Sequence, residues 1–144
     1  MSYKPDFPWT KESHVSSLEN YEKLYKKSVE DPEAFWAEEA RRRLTWDKEF
    51  HTVRDSDFSE GTVSWFLGGK LNVAYNCVDR HVATRGDQVA ILWEGDKPEE
   101  VRRITYRELQ RSVSRMANVL LRYGVRKGDR VAIYLPMIPE AAVA

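Results

Sequence analysis

Apolar residues in the first third of the chain recur at steps of three and four, which is typical of helices that bury one face. The first helix is predicted to begin near Ser16, because Ser16 and Glu19 have the spacing of a capping box. A second is predicted to begin at Asp31, with Pro32 at the first helical position, where the missing N–H is not needed. We expect both faces to pack against a further element rather than to bind a ligand. They comprise Leu18, Tyr21, Leu24, Tyr25 and Val29, and then Phe35, Trp36, Ala40 and Leu44.

Beyond a predicted turn at Gly68 and Gly69, helical and strand patterns alternate. Asn72 is predicted to cap a helix over residues 73–83. Apolar runs over residues 89–93 and 130–135 are typical of buried strands. The first of these runs is predicted to form an antiparallel hairpin with residues 103–105. One side of the predicted helix carries Val73, Cys77, Val78, His81 and Val82.

The clearest helical pattern lies between the two apolar runs. Thr105 and Glu108 have capping-box spacing, and Gly124 suits the residue after a helix end, where a left-handed backbone is needed. A further helix is predicted to begin at Pro139. Helices joined to strands by short links predict an α/β fold, with a mixed sheet covered by helices. The apolar face of the clearest helix comprises Leu109, Val113, Met116, Ala117, Leu120 and Leu121.

Composition shifts predict three parts. Pro5, Phe7, Pro8 and Trp9 indicate an extended arm over residues 1–15. The polar, turn-rich stretch 47–68 is predicted to be a joint. We therefore expect a helical N-terminal extension over 16–68 and the start of an α/β domain over 69–144. Because the last predicted helix is interrupted after one turn, we expect that domain to be incomplete and the chain to be part of a longer protein.

Charge is balanced overall but unevenly distributed. The 144 residues contain 23 basic and 23 acidic side chains, yet residues 102–130 hold nine Lys or Arg against two acids. Arg107, Arg111, Arg115 and Arg122 lie near one face of the predicted helix. Such a face is typical of a solvated surface, and a phosphate or nucleic-acid surface and an interface are the less favoured alternatives. Aromatic residues do not interleave with the arginines as single-strand stacking requires, so we predict no nucleic-acid partner.

The sequence offers few groups for catalysis. Cys77 is the only cysteine, which excludes an internal disulfide and a cysteine zinc site, and the three histidines lack metal-ligand spacing. We expect Cys77 to be a small buried apolar side chain, although a pair with His81 is geometrically possible. Glycine-rich phosphate loops and serine nucleophile elbows are missing. We therefore predict no catalytic, cofactor-binding or metal-binding residue, and, without an apolar run of about 20 residues, no membrane partner.

Five segments carry a resemblance to a known family. They are DPEAFW at 31–36, LNVAYNCVDRH at 71–81, VAILWEGD at 89–96, ITYREL at 104–109 and KGDRVAIYLPMIPEA at 127–141. In this order and spacing, they resemble the N-terminal part of the AMP-forming acetyl-coenzyme A synthetases, members of the adenylate-forming enzyme superfamily. The resemblance covers nearly the whole chain but only about the first fifth of such an enzyme.

The resemblance implies that the full-length protein is an acetate–CoA ligase that uses ATP, Mg²⁺ and CoA. It implies an α/β architecture, in which a helical extension precedes the first strands and helices of the large domain. The family's phosphate loop, ribose-binding aspartate and catalytic lysine lie outside residues 1–144, so no site residue is carried over and no cofactor is expected on this segment. A propionate or other short-chain acyl-CoA synthetase, or a non-catalytic interaction module with a basic helix face, is the alternative. The expected partners are the remainder of the polypeptide and the substrates, and a homo-oligomer stays open. The expected location is the cytoplasm, and an organelle stays open.

Overall fold

The structure, a computed structural model, describes residues 12–144, so residues 1–11 of the expected arm lie outside it. The chain divides into two compact units, one ending at Leu71 and the other beginning at Asn72. Helices and antiparallel strand pairs make up both units, which confirms the α/β class. Within the described residues, no helix is long and apolar enough to cross a membrane.

Two helices open the first unit: α1 over Leu18–Glu30 and α2 over Pro32–Arg43. Helix α1 begins near the predicted position, but the predicted capping pair of Ser16 and Glu19 was wrong. Ser17, rather than Ser16, is the N-cap, and its hydroxyl accepts a hydrogen bond from the Asn20 amide at 3.1 Å. The start of α2 is confirmed, since the Asp31 carboxylate accepts a bond from the Ala34 amide and Pro32 occupies the first turn.

The core of the first unit is an aromatic cluster beneath α2. Ala37, Ala40 and Phe50 are buried, and Trp46 and Phe66 pack against them. The Phe50 ring lies 5.2 Å from that of Trp46 and 4.9 Å from that of Phe66, measured between centroids. Only Ala40 of the four apolar positions predicted for α2 is buried, and no residue of α1 is.

The predicted joint over residues 47–68 was wrong, because most of this stretch is a β-hairpin. Strands β1, Thr52–Asp57, and β2, Thr62–Leu67, pair in antiparallel register. An isolated bridge between Lys48 and Lys70 extends the pairing. The turn closes through Gly61, whose φ of 66° suits glycine.

The second unit begins with a capped helical segment. The Asn72 side chain accepts a hydrogen bond from the Tyr75 amide at 3.0 Å, which confirms the predicted cap. Residues 73–85 are helical, but Tyr75–Asp79 is a π-helical segment ahead of α3, Arg80–Arg85. The expectation that Cys77 is buried was wrong, since its side chain is exposed. The wider π turn rotates the residues that follow it, so the 3.6-residue period no longer identifies the inner face.

A hairpin and a long helix follow. Strands β3, Val89–Glu94, and β4, Val101–Thr105, are antiparallel, as predicted. Helix α4, Tyr106–Arg122, begins with the predicted capping box and ends in the left-handed Gly124, with a φ of 86°. The amides of Gly124 and Val125 donate to carbonyls of the last helical turn, which completes a Schellman motif.

The capping box of α4 gives a first testable prediction. The Thr105 hydroxyl accepts from the Glu108 amide, while the Glu108 carboxylate accepts from the Thr105 amide at 2.9 Å. Thr105→Ala removes one partner of this reciprocal pair and is expected to cost about 1 kcal/mol of unfolding free energy. Urea unfolding measures the change, and Thr105→Ser, which keeps the hydroxyl, is the control. Equal losses in both variants would contradict a capping role.

The strand predicted over residues 130–135 was wrong. This stretch runs from the Lys127–Asp129 turn to α5, Pro139–Val143, and forms no backbone hydrogen bond with any residue between 12 and 144. A strand forms only when a neighbouring strand takes its N–H and C=O groups, and the described part of the chain supplies none. The side chains of this stretch are exposed, Val131 and Ile133 by half or more.

Candidate functional site

No catalytic or ligand-binding residue was predicted, so candidates come from the structure itself. Within residues 12–144, no three His, Cys, Asp or Glu side chains come close enough together to hold a metal ion. Every buried polar side-chain atom in the same range has a hydrogen-bond partner. The remaining candidates are a possible cysteine–histidine pair, a cleft, an arginine surface and a polar network.

Cys77 and His81 do not form a catalytic pair. No hydrogen bond joins them, and His81 Nδ1 lies 3.1 Å from a guanidinium nitrogen of Arg85. Desolvation, reinforced by the positive charges of Arg85 and Arg80, lowers the pKa of His81. The His81 ring also packs against Tyr106, with centroids 5.2 Å apart. A neutral imidazole engaged in this way contributes to the structure of the second unit rather than activating a thiol.

The first unit contains an apolar cleft between α2 and β2. Its volume is about 240 Å³, which is smaller than typical small-molecule pockets. The lining residues are Trp36, Glu39, Ala40, Arg43, Leu44 and Phe66. Its walls are largely apolar, and the charged residues that line it are Glu39 and Arg43.

Glu39 at the edge of this cleft is fully engaged by two arginines. Its side chain is only 17% exposed. Arg42 donates to both carboxylate oxygens, at 2.6 and 2.8 Å, and Arg43 donates to one of them. The hydrogen bond from Arg43 is the main cause that lowers the pKa of Glu39, against an opposing desolvation effect. The carboxylate therefore fastens the end of α2, and its lowered pKa makes it a poor proton donor.

We call the pairing of Glu39 with Arg42 and Arg43 the clamp. It predicts that the free energy of unfolding depends on pH. Because the pKa of Glu39 is lower in the folded state, its contribution is present above the ordinary glutamate pKa of about 4.3 and is lost as the pH falls below it. Wild type is therefore expected to exceed Glu39→Gln in unfolding free energy at pH 7, with the difference shrinking in acid. Urea unfolding across this range measures it. Glu22→Gln is the control, at an exposed α1 position that forms no ion pair within residues 12–144. A difference between wild type and Glu39→Gln that stays constant with pH would contradict the clamp.

The basic surface of α4 forms as the spacing predicted. Arg107 donates to the Asp87 carboxylate at 3.2 Å and is therefore paired. We call the remaining exposed residues Arg111, Arg115 and Arg122 the arginine face. Within residues 12–144, none of the three forms a salt bridge, although the charge of Arg111 acts on the nearby Glu108 carboxylate.

A polar network joins the π-helical segment to α4. The buried Asn76 side chain donates to the Asn72 carbonyl at 3.0 Å and accepts from Arg80 at 3.1 Å. Gln110 of α4 donates to the Asp79 carboxylate at 2.7 Å. π-helical turns occur often at functional sites, but here the polar groups bind one another. The network fixes the packing of helices within the second unit.

Comparisons with known proteins show which protein family the chain resembles. The family described as "Acetyl-coenzyme A synthetase N-terminus" matches residues 21–77, and "AMP-binding enzyme" matches residues 78–144. The chain is 59% identical over 126 residues to acetyl-coenzyme A synthetase from Magnetococcus marinus, an alignment that covers 88% of the chain and 20% of that protein. The chain is similar to the N-terminal part of the acetyl-coenzyme A synthetases. The resemblance predicted from the five segments is thus confirmed.

Two further comparisons give the same result. Acetyl-coenzyme A synthetase from Phycomyces blakesleeanus is 58% identical over 131 residues, covering 91% of the chain and 20% of that relative. Among solved structures, acetoacetyl-CoA synthetase from Streptomyces lividans has a TM-score of 0.75 at 34% identity, covering 94% of the chain and 21% of that structure. The chain spans about a fifth of the length of the acetyl-coenzyme A synthetases that it matches.

The segments that resemble acetyl-coenzyme A synthetases have structural tasks here. The Asp31 and Asn72 side chains cap helices. Thr105 and Glu108 form the capping box. The Asp129 carboxylate accepts from the Arg126 amide at 2.6 Å and closes the turn before residues 130–135. Several residues of the segments that revealed the resemblance therefore act as helix caps or close turns.

Proposed function

We propose that the chain is the N-terminal part of an acetate–CoA ligase, which makes acetyl-CoA from acetate, ATP and CoA. The observation that carries this proposal is the succession of two family matches over residues 21–144, in a chain that a single relative matches over 88% of its length. Relatives named acetyl-coenzyme A synthetase, at 51–59% identity over most of the chain, support acetate as the substrate.

The proposed reaction has two steps. A carboxylate oxygen of acetate attacks the α-phosphorus of ATP, and the bond to pyrophosphate breaks to give acetyl-adenylate. The sulfur of CoA then attacks the carbonyl carbon, the bond to AMP breaks, and the thiol proton is released. Mg²⁺ would accompany ATP and neutralise phosphate charge.

The proposed role of these residues is architectural. We propose that residues 16–68 form the N-terminal extension and residues 69–144 the first elements of the large domain. Val131, Ile133 and Leu135 are each 46–54% exposed, and the backbone around them has no partner within residues 12–144. A strand from the remainder of the polypeptide would satisfy these backbone groups and cover the side chains.

Acetate-dependent exchange between ATP and pyrophosphate tests the proposal. The full-length protein is expected to catalyse exchange with acetate at a higher kcat/KM than with propionate or acetoacetate. Residues 1–144 alone are expected to catalyse none, because no ATP-binding residue is predicted among them. Exchange by residues 1–144 would contradict the architectural role. Faster exchange with propionate would keep the ligase class but replace the substrate.

A further inference from the structure

The tip of the β1–β2 hairpin carries an exposed aromatic ring among carboxylates. The Phe58 side chain is 82% exposed. The Asp57 carboxylate accepts hydrogen bonds from the Ser59 amide at 2.8 Å and the Ser59 hydroxyl at 2.6 Å, which fixes the turn. Asp55 and Glu60 are exposed and have no ion-pair partner within residues 12–144. We call Asp55, Asp57, Phe58 and Glu60 the acidic tip.

The arginine face of α4 has complementary properties. Val119 is four residues after Arg115 and three before Arg122, so these side chains are neighbours on the helix surface. The Val119 side chain is 43% exposed. The face therefore presents an apolar position between unpaired positive charges, whereas the tip presents an apolar ring between negative ones.

We propose that the chain self-associates, with the acidic tip of one copy docking on the arginine face of a second copy. Phe58 would pack against Val119, while the carboxylates around Phe58 meet the guanidinium groups. Aromatic residues and arginines are enriched at such interfaces, and opposite charges steer partners into register. Two tips repel each other, as do two arginine faces, so tip-to-face contact is the arrangement that the charges favour.

Charge reversal followed by mixing tests this docking mode. In the face variant Arg111, Arg115 and Arg122 are changed to Glu, and in the tip variant Asp55 and Glu60 are changed to Lys. Asp57 is kept because it holds the turn. Each variant alone is expected to sediment as a monomer, since its tip and face carry the same sign of charge. An equimolar mixture is expected to associate again, because each tip then meets a face of opposite charge.

Sedimentation of the wild-type protein supplies the reference. Association is expected at about 50 mM salt and is expected to weaken strongly at about 500 mM, where the screening length is only a few ångströms. Phe58→Ala is expected to weaken association about tenfold at low salt. A monomeric wild type at low salt, a mixture that stays monomeric, or Phe58→Ala associating as wild type would overturn the proposal.

Control variants separate the two surfaces from net charge. Lys127 and Arg130 lie beyond the arginine face, and Glu12 and Glu22 lie away from the hairpin in the sequence; all four are exposed. Reversing the charges of Lys127 and Arg130, or those of Glu12 and Glu22, is expected to leave association unchanged. Loss of association in these controls would show that overall charge governs it, which would overturn the assignment to tip and face.

Discussion

Replacing Phe50 by Ala is expected to lower the free energy of unfolding of the first unit by about 3–5 kcal/mol. The Phe50 side chain is 5% exposed and contacts the rings of Trp46 and Phe66. The Arg41 guanidinium lies 4.8 Å from the Phe50 ring centroid on a further side. Few other apolar side chains of this unit are buried, so no neighbouring core can collapse into the cavity that Ala would leave.

Phe58→Ala is the matched control for Phe50→Ala. It removes the same atoms from an exposed position and is expected to change the unfolding free energy by no more than about 0.5 kcal/mol. Urea unfolding, followed by tryptophan fluorescence to which Trp46 of the cluster contributes, measures both. Equal midpoints for the two variants would contradict the aromatic cluster as the core of the first unit.

Helix ends were the most predictable part of the fold. Asp31, Asn72, the Thr105–Glu108 pair and Gly124 all act at or within one residue of the predicted helix ends. Caps are local: a short side chain satisfies a backbone group two or three residues away, so residue type and spacing largely determine the geometry. The error at Ser16 arose because Ser17 offers the same hydroxyl one position later.

The β1–β2 hairpin was missed because its composition argues against strands. β1 contains Asp55, Ser56 and Asp57, which are types depleted in sheets. Its pairing depends on non-local contacts instead, including the Arg54 guanidinium 5.9 Å from the Trp65 ring centroid. Phe66 also adopts a positive φ of 53°, which is rare for a bulky residue and is offset here by ring packing with Phe50.

Two further misses concern the second unit. The π-helical turn at Tyr75–Asp79 breaks the 3.6-residue period, so a face read from that period placed Cys77 inside. Residues 130–135 have strand composition, yet a strand also requires partners, and none lie within residues 12–144. The apolar run can be recognised from the sequence. Whether it forms a strand depends on other segments that supply its hydrogen-bond partners.

Of the two charged surfaces, only the arginine face could be predicted from the sequence. Arg111, Arg115 and Arg122 form one face because helical spacing alone places them there. The acidic tip could not be recognised without the hairpin, since Asp55, Asp57 and Glu60 then read as ordinary loop carboxylates. The engagement of Glu39 had a sequence signal, namely arginines three and four residues later, although spacing does not show which side chains are buried.

Leu109→Ala is expected to lower the free energy of unfolding of the second unit by about 2–5 kcal/mol. Leu109 is 7% exposed and, with Val78, is one of the few apolar side chains buried in this unit. Leu121→Ala in the same helix is the control. The Leu121 side chain is 57% exposed, and alanine has the higher helix propensity, so this variant is expected to stay within about 0.5 kcal/mol of wild type.

Hydrogen exchange of the α4 backbone amides measures both variants, because a packed helix exchanges mainly through unfolding of its unit. Leu109→Ala is expected to accelerate exchange throughout α4, whereas Leu121→Ala is expected to change at most its last turn. Similar exchange in the two variants would mean that capping and local helix propensity, rather than burial of Leu109, hold α4 in place. The contrast between the two variants therefore separates the contribution of packing from that of local helix stability. The local part, namely the helix caps of this unit, was the part that the sequence predicted best.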